Sequence, residues 1–245
     1  MIKLFKHIRR SLLNENKMGK YFKYAIGEIL LVVIGILIAL SINNWNETRK
    51  EQALELDYLI GIKTDLENDL PSIERRINVI LSKISALHKI DSTFTTNTNT
   101  NINIETHDIS LDTIRLVWVF DRGQFSRLSM GSYTALTTNA SAGLIQNTEL
   151  LQSIQNLYES RYPGGLSVYE DLKRREEYLG WKYAKEYKNS TIQAFFIDNP
   201  NKDDVLADFN FFYRQQGLMY RHLNKQRDDM QKIIDAINTE VNNRK

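Results

Sequence analysis

Residues 29–40 read ILLVVIGILIAL, a run in which every residue is apolar or glycine. The run extends outward to Ala25 and Ile42, with Glu28 and Ser41 as its polar interruptions. As a helix, these 18 residues would measure about 27 Å, close to the roughly 30 Å hydrocarbon core of a bilayer. The stretch therefore predicts one helix that crosses a membrane.

Aromatic side chains flank the apolar run, which suits the two interfaces of a membrane. The expected interfacial anchors are Tyr21 and Tyr24 at one end and Trp45 at the other, and the predicted transmembrane helix covers residues 21–45. A buried core helix and a cleaved signal peptide are the alternatives. A core helix rarely lacks a polar face for so long, and the exit sequence SINNWNE offers no small-x-small cleavage site. We therefore predict an uncleaved signal anchor.

Charge is distributed unevenly about this run. Residues 1–24 carry a net charge of +6 and the remainder −4, within a total of +2. The excess of Lys and Arg predicts a cytoplasmic N-terminus, an extracytoplasmic (periplasmic) C-terminal part and a location in the inner (cytoplasmic) membrane. Residues 1–20 are read as a basic amphipathic helix on the inner leaflet, or as a disordered basic flank. The basic residues expected at that leaflet are Lys3, Lys6, Arg9 and Arg10.

One face of the predicted span contains Glu28, Gly35 and Ala39, spaced by seven and four residues. Small residues four apart let helix backbones approach closely, and a carboxylate within the bilayer favours a polar partner. The face predicts a helix–helix contact, so the expected partners are the lipid bilayer and either a second copy of the chain or another membrane or periplasmic protein. No nucleic-acid partner is expected, because the basic excess lies wholly before the span.

Residues 46–245 are predicted to form an extracytoplasmic helical domain. Apolar residues recur every three or four positions from Leu59 to Leu87, and again from Leu206 to Val241. Pro71 interrupts the first series and is expected to kink the helix or split it in two. The predicted fold class is all-α: one N-terminal transmembrane helix, then an antiparallel helical bundle with long, coiled-coil-like helices.

The segments between the long helices are predicted from their composition. Residues 91–110, rich in Thr and Asn, are expected to form a polar loop, and IRLVWVF at 114–120 reads as a short strand or a buried loop. The helical pattern resumes from Ser126 to about Ala140 and again near Asn147. The sequence YPGG at 162–165 predicts a break between two helices.

Sequence motifs for catalysis or cofactor binding are absent. The chain contains no glycine-rich phosphate loop, HExxH, GxSxG or SxxK motif, and it has no cysteine. His107 beside Asp108 is a weak metal candidate, because polar residues in a loop need no such explanation. We therefore predict no catalytic, cofactor-binding or metal-binding residues, no cofactor, and a protein that is not an enzyme.

Two further groups of residues have a structural and a functional interpretation. Neighbouring carboxylates at Asp65, Glu67 and Asp69, and at Asp228 and Asp229, are interpreted as solvated helix faces rather than as acid–base pairs. The dense aromatic residues are interpreted as core packing rather than as the lining of a pocket: Phe209, Phe211, Phe212, Tyr213, Trp181, Tyr183 and Tyr187.

The N-terminal part contains ENK at 15–17, IGEI at 26–29, LVVIGILIAL at 31–40 and INNWNE at 42–47. A second block comprises Tyr133, Ala135, Leu136, Ser141, Gly143, Leu144, Ile145, Asn147, Glu149, Leu150, Leu157 and Tyr158. In both blocks the sequence resembles a widespread family of uncharacterised bacterial single-pass membrane proteins, classed as a domain of unknown function. The resemblance implies a membrane location and a helical extracytoplasmic part, and it implies no known activity.

The favoured functional hypothesis is a structural or protein-interaction role for an anchored helical protein. The alternative is a ligand-sensing domain, which would signal through a partner because only about 24 residues are expected in the cytoplasm. A membrane-bound enzyme is a distant third. A filled interior with apolar patches outside favours interaction, whereas a pocket of several hundred cubic ångströms with converging polar groups favours sensing.

Overall fold

The computed structural model describes residues 18–92, 110–138, 141–186, 189–198 and 202–244. The structure is 85% helical, with no strand among the described residues, so the predicted all-helical class is confirmed. The α-helices are α1 (Met18–Ile90), α2 (Leu116–Phe120), α3 (Gly131–Thr138), α4 (Thr148–Gln155), α5 (Tyr162–Lys182), α6 (Ile192–Asp198) and α7 (Lys202–Asn243). A 3₁₀ turn spans Ser141–Leu144, and a π-helical segment spans Asn156–Arg161.

The chain divides into two compact units, Met1–Leu54 and Glu55–Lys245. The described part of the first unit is the beginning of α1, whose most apolar window has a mean hydropathy of 2.7 and is nowhere buried. Among the described residues, α1 is the one helix that is long and apolar enough to cross a membrane, judged by length and composition. The predicted basic helix at 1–20, with Lys3, Lys6, Arg9 and Arg10, lies almost wholly outside the described residues, as does most of the polar loop predicted at 91–110.

From Glu55 onward, α1 buries its apolar residues along one stripe. The stripe was predicted from the spacing, and its fully or nearly fully buried members are Leu59, Ile62, Leu66, Ile73, Ile77, Ile80, Ile84 and Leu87. Pro71 lies within α1 on its exposed side, so the predicted split of the helix is wrong, whereas the alternative, a kink, stays a prediction. A proline removes one backbone hydrogen bond, and the stripe buried on both sides of it offsets that loss.

Residues 114–120 form neither of the structures predicted for them. Leu116–Phe120 is a short helix, α2, that buries Leu116, Val119 and Phe120. The strand-like feature here is a single antiparallel bridge between Arg115 and Thr191, in which the Ile192 N–H donates to the Ile114 carbonyl at 2.9 Å. A short apolar run has no periodicity that separates strand from helix, which explains the wrong prediction.

The segment between α2 and α3, residues 121–130, is not helical, and we name it the strap. The helix predicted from Ser126 to about Ala140 is observed from Gly131 to Thr138. The strap is held by side chains of α1: Asp69 accepts hydrogen bonds from the Ser129 N–H (2.5 Å) and hydroxyl (3.0 Å). Asp65 accepts from the Ser132 N–H at 3.1 Å, at the start of α3. These contacts replace the hydrogen bonds that another helical turn would supply.

The chain runs as one helical rod from Thr148 to Lys182, so the break predicted at residues 162–165 is wrong. The π-helical segment widens the turn before Pro163, and the Tyr162 N–H bonds to the Leu157 carbonyl five residues back. Pro163 then occupies the first turn of α5, where its missing N–H is tolerated. A Cβ built on Gly164 or Gly165 would lie 3.4 Å from His222 and 3.9 Å from Gln226, so the glycines allow close approach of α7.

Helix α7 packs against α5 and α1. Its contacts with the helical segment 147–182 follow opposite sequence orders in the two partners. Asn147 contacts Glu240, Arg161 contacts Asp229, and Arg175 contacts Asp208. Along α1 the order is also reversed, because Glu55 pairs with Arg244 and His88 stacks on Tyr213. Helix α7 is therefore antiparallel to both partners where they touch.

Candidate functional site

The residues singled out in the apolar part of α1 are largely exposed wherever their side chains are described. Gly35 and Ala39 are exposed, Glu28 is half-exposed, and Trp45 is exposed with the Arg49 guanidinium 5.8 Å from its ring centroid. Tyr21 and Tyr24 lie in α1, but their side chains are outside the described part. The predicted contact face and the interfacial anchors therefore stay predictions.

A buried carboxylate joins three separate segments at the start of the second unit. Glu55 on α1 is 1% exposed and accepts hydrogen bonds from Arg244 Nη1 at 2.5 Å and from the Gln146 N–H at 2.8 Å. The bond to Glu55 raises the pKa of the Arg244 guanidinium. Glu240 contributes a second, longer contact to Arg244 at 3.4 Å. This junction fastens the end of α7 to α1.

Asn147 extends the same junction to the start of α4. Its side-chain oxygen accepts from the Leu150 N–H at 3.0 Å, which is an N-cap, and its amide donates to Glu240 Oε1 at 2.6 Å. Ser141 approaches the Tyr58 hydroxyl at 3.4 Å. The block of sequence from Ser141 to Leu150 therefore connects α1, α4 and α7.

Two cations lie buried on α1 beneath the start of the strap. Lys83 is 1% exposed; its ammonium donates to the Asp121 carbonyl and lies 3.6 Å from the Asp121 carboxylate and 5.5 Å from the Trp118 ring centroid. Arg76, about two helical turns earlier on the same face of α1, is also buried. Burial lowers the pKa of Lys83 to about 8, and burial likewise lowers the pKa of Arg76.

Gly123 lies directly against the guanidinium of Arg76. Its φ of +67° lies in the left-handed region, and a Cβ built there would overlap the Arg76 guanidinium. The neighbouring Arg122 pairs with Glu176 at 2.5 Å, and its Nε donates to the Tyr169 hydroxyl at 3.1 Å. The Tyr169 hydroxyl in turn donates to the Gly123 carbonyl at 3.1 Å. The start of the strap is thus fixed between α1 and α5.

Asp208 of α7 is a buried carboxylate with three partners on or beside α5. It accepts from Arg175 at 2.5 Å, from Lys182 at 2.7 Å and from the Tyr183 hydroxyl at 2.8 Å. The hydrogen bond that Lys182 donates to Asp208 raises the pKa of Lys182, while burial, together with the hydrogen bond to Asp208, raises the pKa of Tyr183 to about 12. Lys182 is therefore charged at neutral pH, and it shares the Asp208 carboxylate with Arg175.

Three aromatic rings lie on the surface beside Asp208 and its partners, and we name them the aromatic patch: Tyr178, Trp181 and Phe211. Their exposed fractions are 49%, 88% and 43%. The Arg175 guanidinium lies 4.4 Å from the Phe211 ring centroid and 4.9 Å from that of Tyr178. Two open clefts adjoin the rings, of about 600 Å³ beside Trp181 and about 430 Å³ beside Phe211. The patch is a shallow apolar surface underlain by paired charges.

The aromatic patch corrects one prediction. Phe209, Phe212, Tyr213 and Tyr183 are buried, as expected of core residues, but Trp181 and Phe211 are not; Tyr187 lies outside the described residues. Burial on α7 follows the three- and four-residue spacing, and Phe211 falls between the core positions. The exposure of Phe211 could therefore have been predicted from the sequence. The exposure of Trp181 could not, because it lies near the end of α5, where spacing is a poor guide to burial.

The carboxylates considered for acid–base chemistry each bind a different partner and do not pair with one another. Asp65 and Asp69 hold α3 and the strap, Glu67 lies 3.6 Å from Lys63, and Asp229 pairs with Arg161 at 2.8 Å. Asp228 pairs with its neighbour Arg227 at 2.8 Å. No cluster of three potential metal ligands occurs among the described residues, and His107 and Asp108 lie outside them.

The fold and these sites define a predominantly helical protein, in which the described residues include one candidate membrane span. The chain belongs to DUF6090, a family of unknown function, which matches residues 28–212. The match covers about three quarters of the chain; it starts at Glu28 and includes the apolar run, the strap and the aromatic patch. No curated protein and no solved structure matches the chain.

Proposed function

We propose that the chain is a single-pass membrane protein whose helical unit docks another protein on the extracytoplasmic side. In this proposal the described helices of the second unit form an antiparallel bundle with long, coiled-coil-like members, and α1 anchors it in the inner membrane. The support is the apolar window of mean hydropathy 2.7, none of it buried, and the excess of basic residues before it. The role is structural rather than enzymatic.

The observation on which docking rests is the exposure of the aromatic patch. Aromatic side chains with apolar bodies are enriched where proteins bind one another, and Trp and Tyr are frequent binding hot spots. The cations at the patch already have carboxylate partners, because Arg175 and Lys182 both pair with Asp208 and Arg174 pairs with Asp171. The chemistry therefore suits an apolar or aromatic side chain of a protein partner better than an anionic ligand.

Pull-down from native membranes tests the docking function. The variant W181A/F211A removes one ring of the patch from α5 and one from α7, and K232A serves as the control at another exposed position on α7. We expect a partner recovered with the wild type and with K232A to be lost with the double variant. The same proteins recovered with all three chains would overturn docking through the patch.

Single-cysteine labelling tests the orientation, since the native chain has no cysteine. Lys3→Cys and Asp57→Cys place one thiol on each side of the span. In intact spheroplasts a membrane-impermeant maleimide should label position 57, and position 3 only after lysis. The reverse pattern would contradict the proposed orientation.

Self-association through the span is a separate part of the proposal. Replacing Gly35 and Ala39 by leucine blocks close helix approach, and Val33→Leu provides a control on another face. The double variant is expected to lose self-association in detergent while the control retains it. Unchanged association of the double variant would rule out this face.

Ligand sensing is the second candidate function, with signalling through a partner protein. It is favoured by one observation, a cleft of about 640 Å³ between the strap and α5. Clefts of roughly 300–1,000 Å³ are typical of small-molecule sites.

A further inference from the structure

The cleft between the strap and α5 has one wall from each element. The residues that matter for its chemistry are Phe125 and Arg127 on the strap, and Tyr162, Leu166, Tyr169 and Glu170 on α5. Its volume of about 640 Å³ is sufficient for an amino acid or a short peptide. The cleft shares no residue with the aromatic patch, so a failure of docking would leave it standing.

The apolar part of the cleft is built from aromatic rings. The Phe125 ring centroid lies 5.0 Å from that of Tyr169 and 5.6 Å from that of Tyr162. Leu166 is 39% exposed on the same surface of α5. Rings at this spacing pack against one another and leave their outer faces for an apolar group of a ligand.

The wall formed by the strap is held in place on both sides of Phe125. Before it, Tyr169 donates to the Gly123 carbonyl at 3.1 Å; after it, Leu128 is buried in the core and Ser129 is bonded twice to Asp69. A site held in this way binds without first ordering its own wall, which reduces the entropic cost of binding.

The charged residues of the cleft have no partner within the described part of the chain. The other arginines of the strap and α5, Arg122, Arg174 and Arg175, each pair with a carboxylate. Arg127 and Glu170 form no ion pair or side-chain hydrogen bond with a described residue, although both line the cleft from opposite walls. A guanidinium suits a carboxylate, and a carboxylate suits an ammonium group.

We propose that this cleft binds a zwitterionic molecule with an apolar side chain, namely a free amino acid or short peptide that carries an aromatic or large aliphatic group. Arg127 receives its carboxylate, Glu170 receives its ammonium group, and the side chain packs on Phe125 and Leu166. The proposal rests on the sensing function for its physiological meaning and gives that function its ligand. Binding itself is measurable without any signalling partner.

Calorimetric titration of the full chain in detergent micelles tests the site, with L-phenylalanine and the dipeptide Leu-Phe as probes. 3-Phenylpropanoate lacks the ammonium group and phenethylamine lacks the carboxylate, so each should bind at least about tenfold more weakly than phenylalanine. The variants are R127Q and E170Q, with K173Q on α5 as the matched control.

Each variant should remove the interaction with one charged group of the ligand. R127Q is expected to weaken the binding of phenylalanine at least about tenfold and to leave the binding of phenethylamine unchanged. E170Q is expected to weaken the binding of phenylalanine and to leave the binding of 3-phenylpropanoate unchanged. Three results would overturn the proposal: no saturable binding of either zwitterion, equal binding of the singly charged analogues, or equal loss in K173Q. If the cleft binds the ligand but the sensing function is wrong, the wild type would bind phenylalanine as expected, and adding phenylalanine would leave the recovery of partner proteins in a pull-down unchanged.

Discussion

The two halves of α1 have the same secondary structure and opposite surroundings. Between Ile29 and Leu40 every large apolar side chain is about half exposed, on all faces of the helix. Between Leu59 and Leu87 most apolar side chains form one buried stripe, while the rest of the surface is mainly polar and includes the exposed apolar residues Ile60 and Val79. The comparison teaches that helix formation is common to both halves. The width of the apolar surface separates the half proposed to face lipid from the half that packs against protein.

The second half also places charge on its buried side, which the first half does not. Glu55, Arg76 and Lys83 are buried. Glu55 and Lys83 each receive a partner from a distant segment, Arg244 and Asp121. Burying a charge costs free energy unless it is paired, so these residues bind particular segments to α1.

The largest effect is expected from charge in the apolar half. The change V33K/L37K places two ammonium groups in the centre of the span, at a cost of about 5–7 kcal/mol for insertion. We expect the chain to pass from the membrane pellet to the alkaline carbonate extract. The matched variant I60K/V79K makes the same change on the exposed side of the second half and should leave extraction unaltered. Retention of the first variant in the pellet would break the comparison.

The next effect concerns the buried stripe. Leu66→Ala removes a fully buried side chain and should lower the free energy of unfolding by about 2–5 kcal/mol. Leu54→Ala, at a residue that is 43% exposed, should lower it by less than about 1 kcal/mol. Urea unfolding of the full chain in micelles, followed by circular dichroism, measures both. Equal losses would mean that the stripe is not a core.

A third effect concerns the strap over the buried cations. Gly123→Ala forces an L-residue into the left-handed region and against Arg76, and should destabilise the protein by about 2–4 kcal/mol. Gly131→Ala, at the start of α3, meets no atom within 4 Å and should be neutral. Thermal unfolding compares the two variants. An unaffected Gly123→Ala variant would show that the strap does not seat on Arg76 in solution.

The smallest effect is a pH dependence that belongs to the second half alone. The folded pKa of Lys83 is about 8, below its ordinary value of 10.5, so between these values the unfolded chain binds more protons. Stability should therefore rise with pH from about 8 toward 10.5, by at most about 1.4 kcal/mol per pH unit. Relative to Lys83→Gln, the wild type should show this additional slope in urea unfolding; a parallel or falling curve contradicts a buried ammonium.

The long helices were predictable because their patterns are long. The stripe of α1 and the start of α4 near Asn147 were both expected from the spacing of apolar residues, and both are observed. In each case several residues point to the same structure. The apolar run at 29–40 was predicted for the same reason, and the structure gives it the helix and the exposure that a span requires.

The shorter features depended on contacts that no local pattern records. The sequence YPGG suggests a turn, yet the preceding π-helical segment accommodates Pro163, and both glycines face α7. The pair of Glu55 and Arg244 is separated by 189 residues, so it becomes visible only when α7 is folded against α1. Likewise Trp181 looks like any core aromatic until the packing of α5 leaves it exposed.

Spin-label accessibility along α1 tests the central comparison most directly, because the chain lacks cysteine and each label is unique. Labels at Leu30, Val33 and Leu37 in lipid vesicles should be accessible to oxygen and inaccessible to a water-soluble nickel reagent. Labels at Ile62 and Leu66 should be inaccessible to both, and a label at Thr64 should be accessible to nickel. Nickel accessibility at Val33 and Leu37, or oxygen accessibility at Leu66 equal to theirs, would contradict the assignment of lipid to one half and protein to the other.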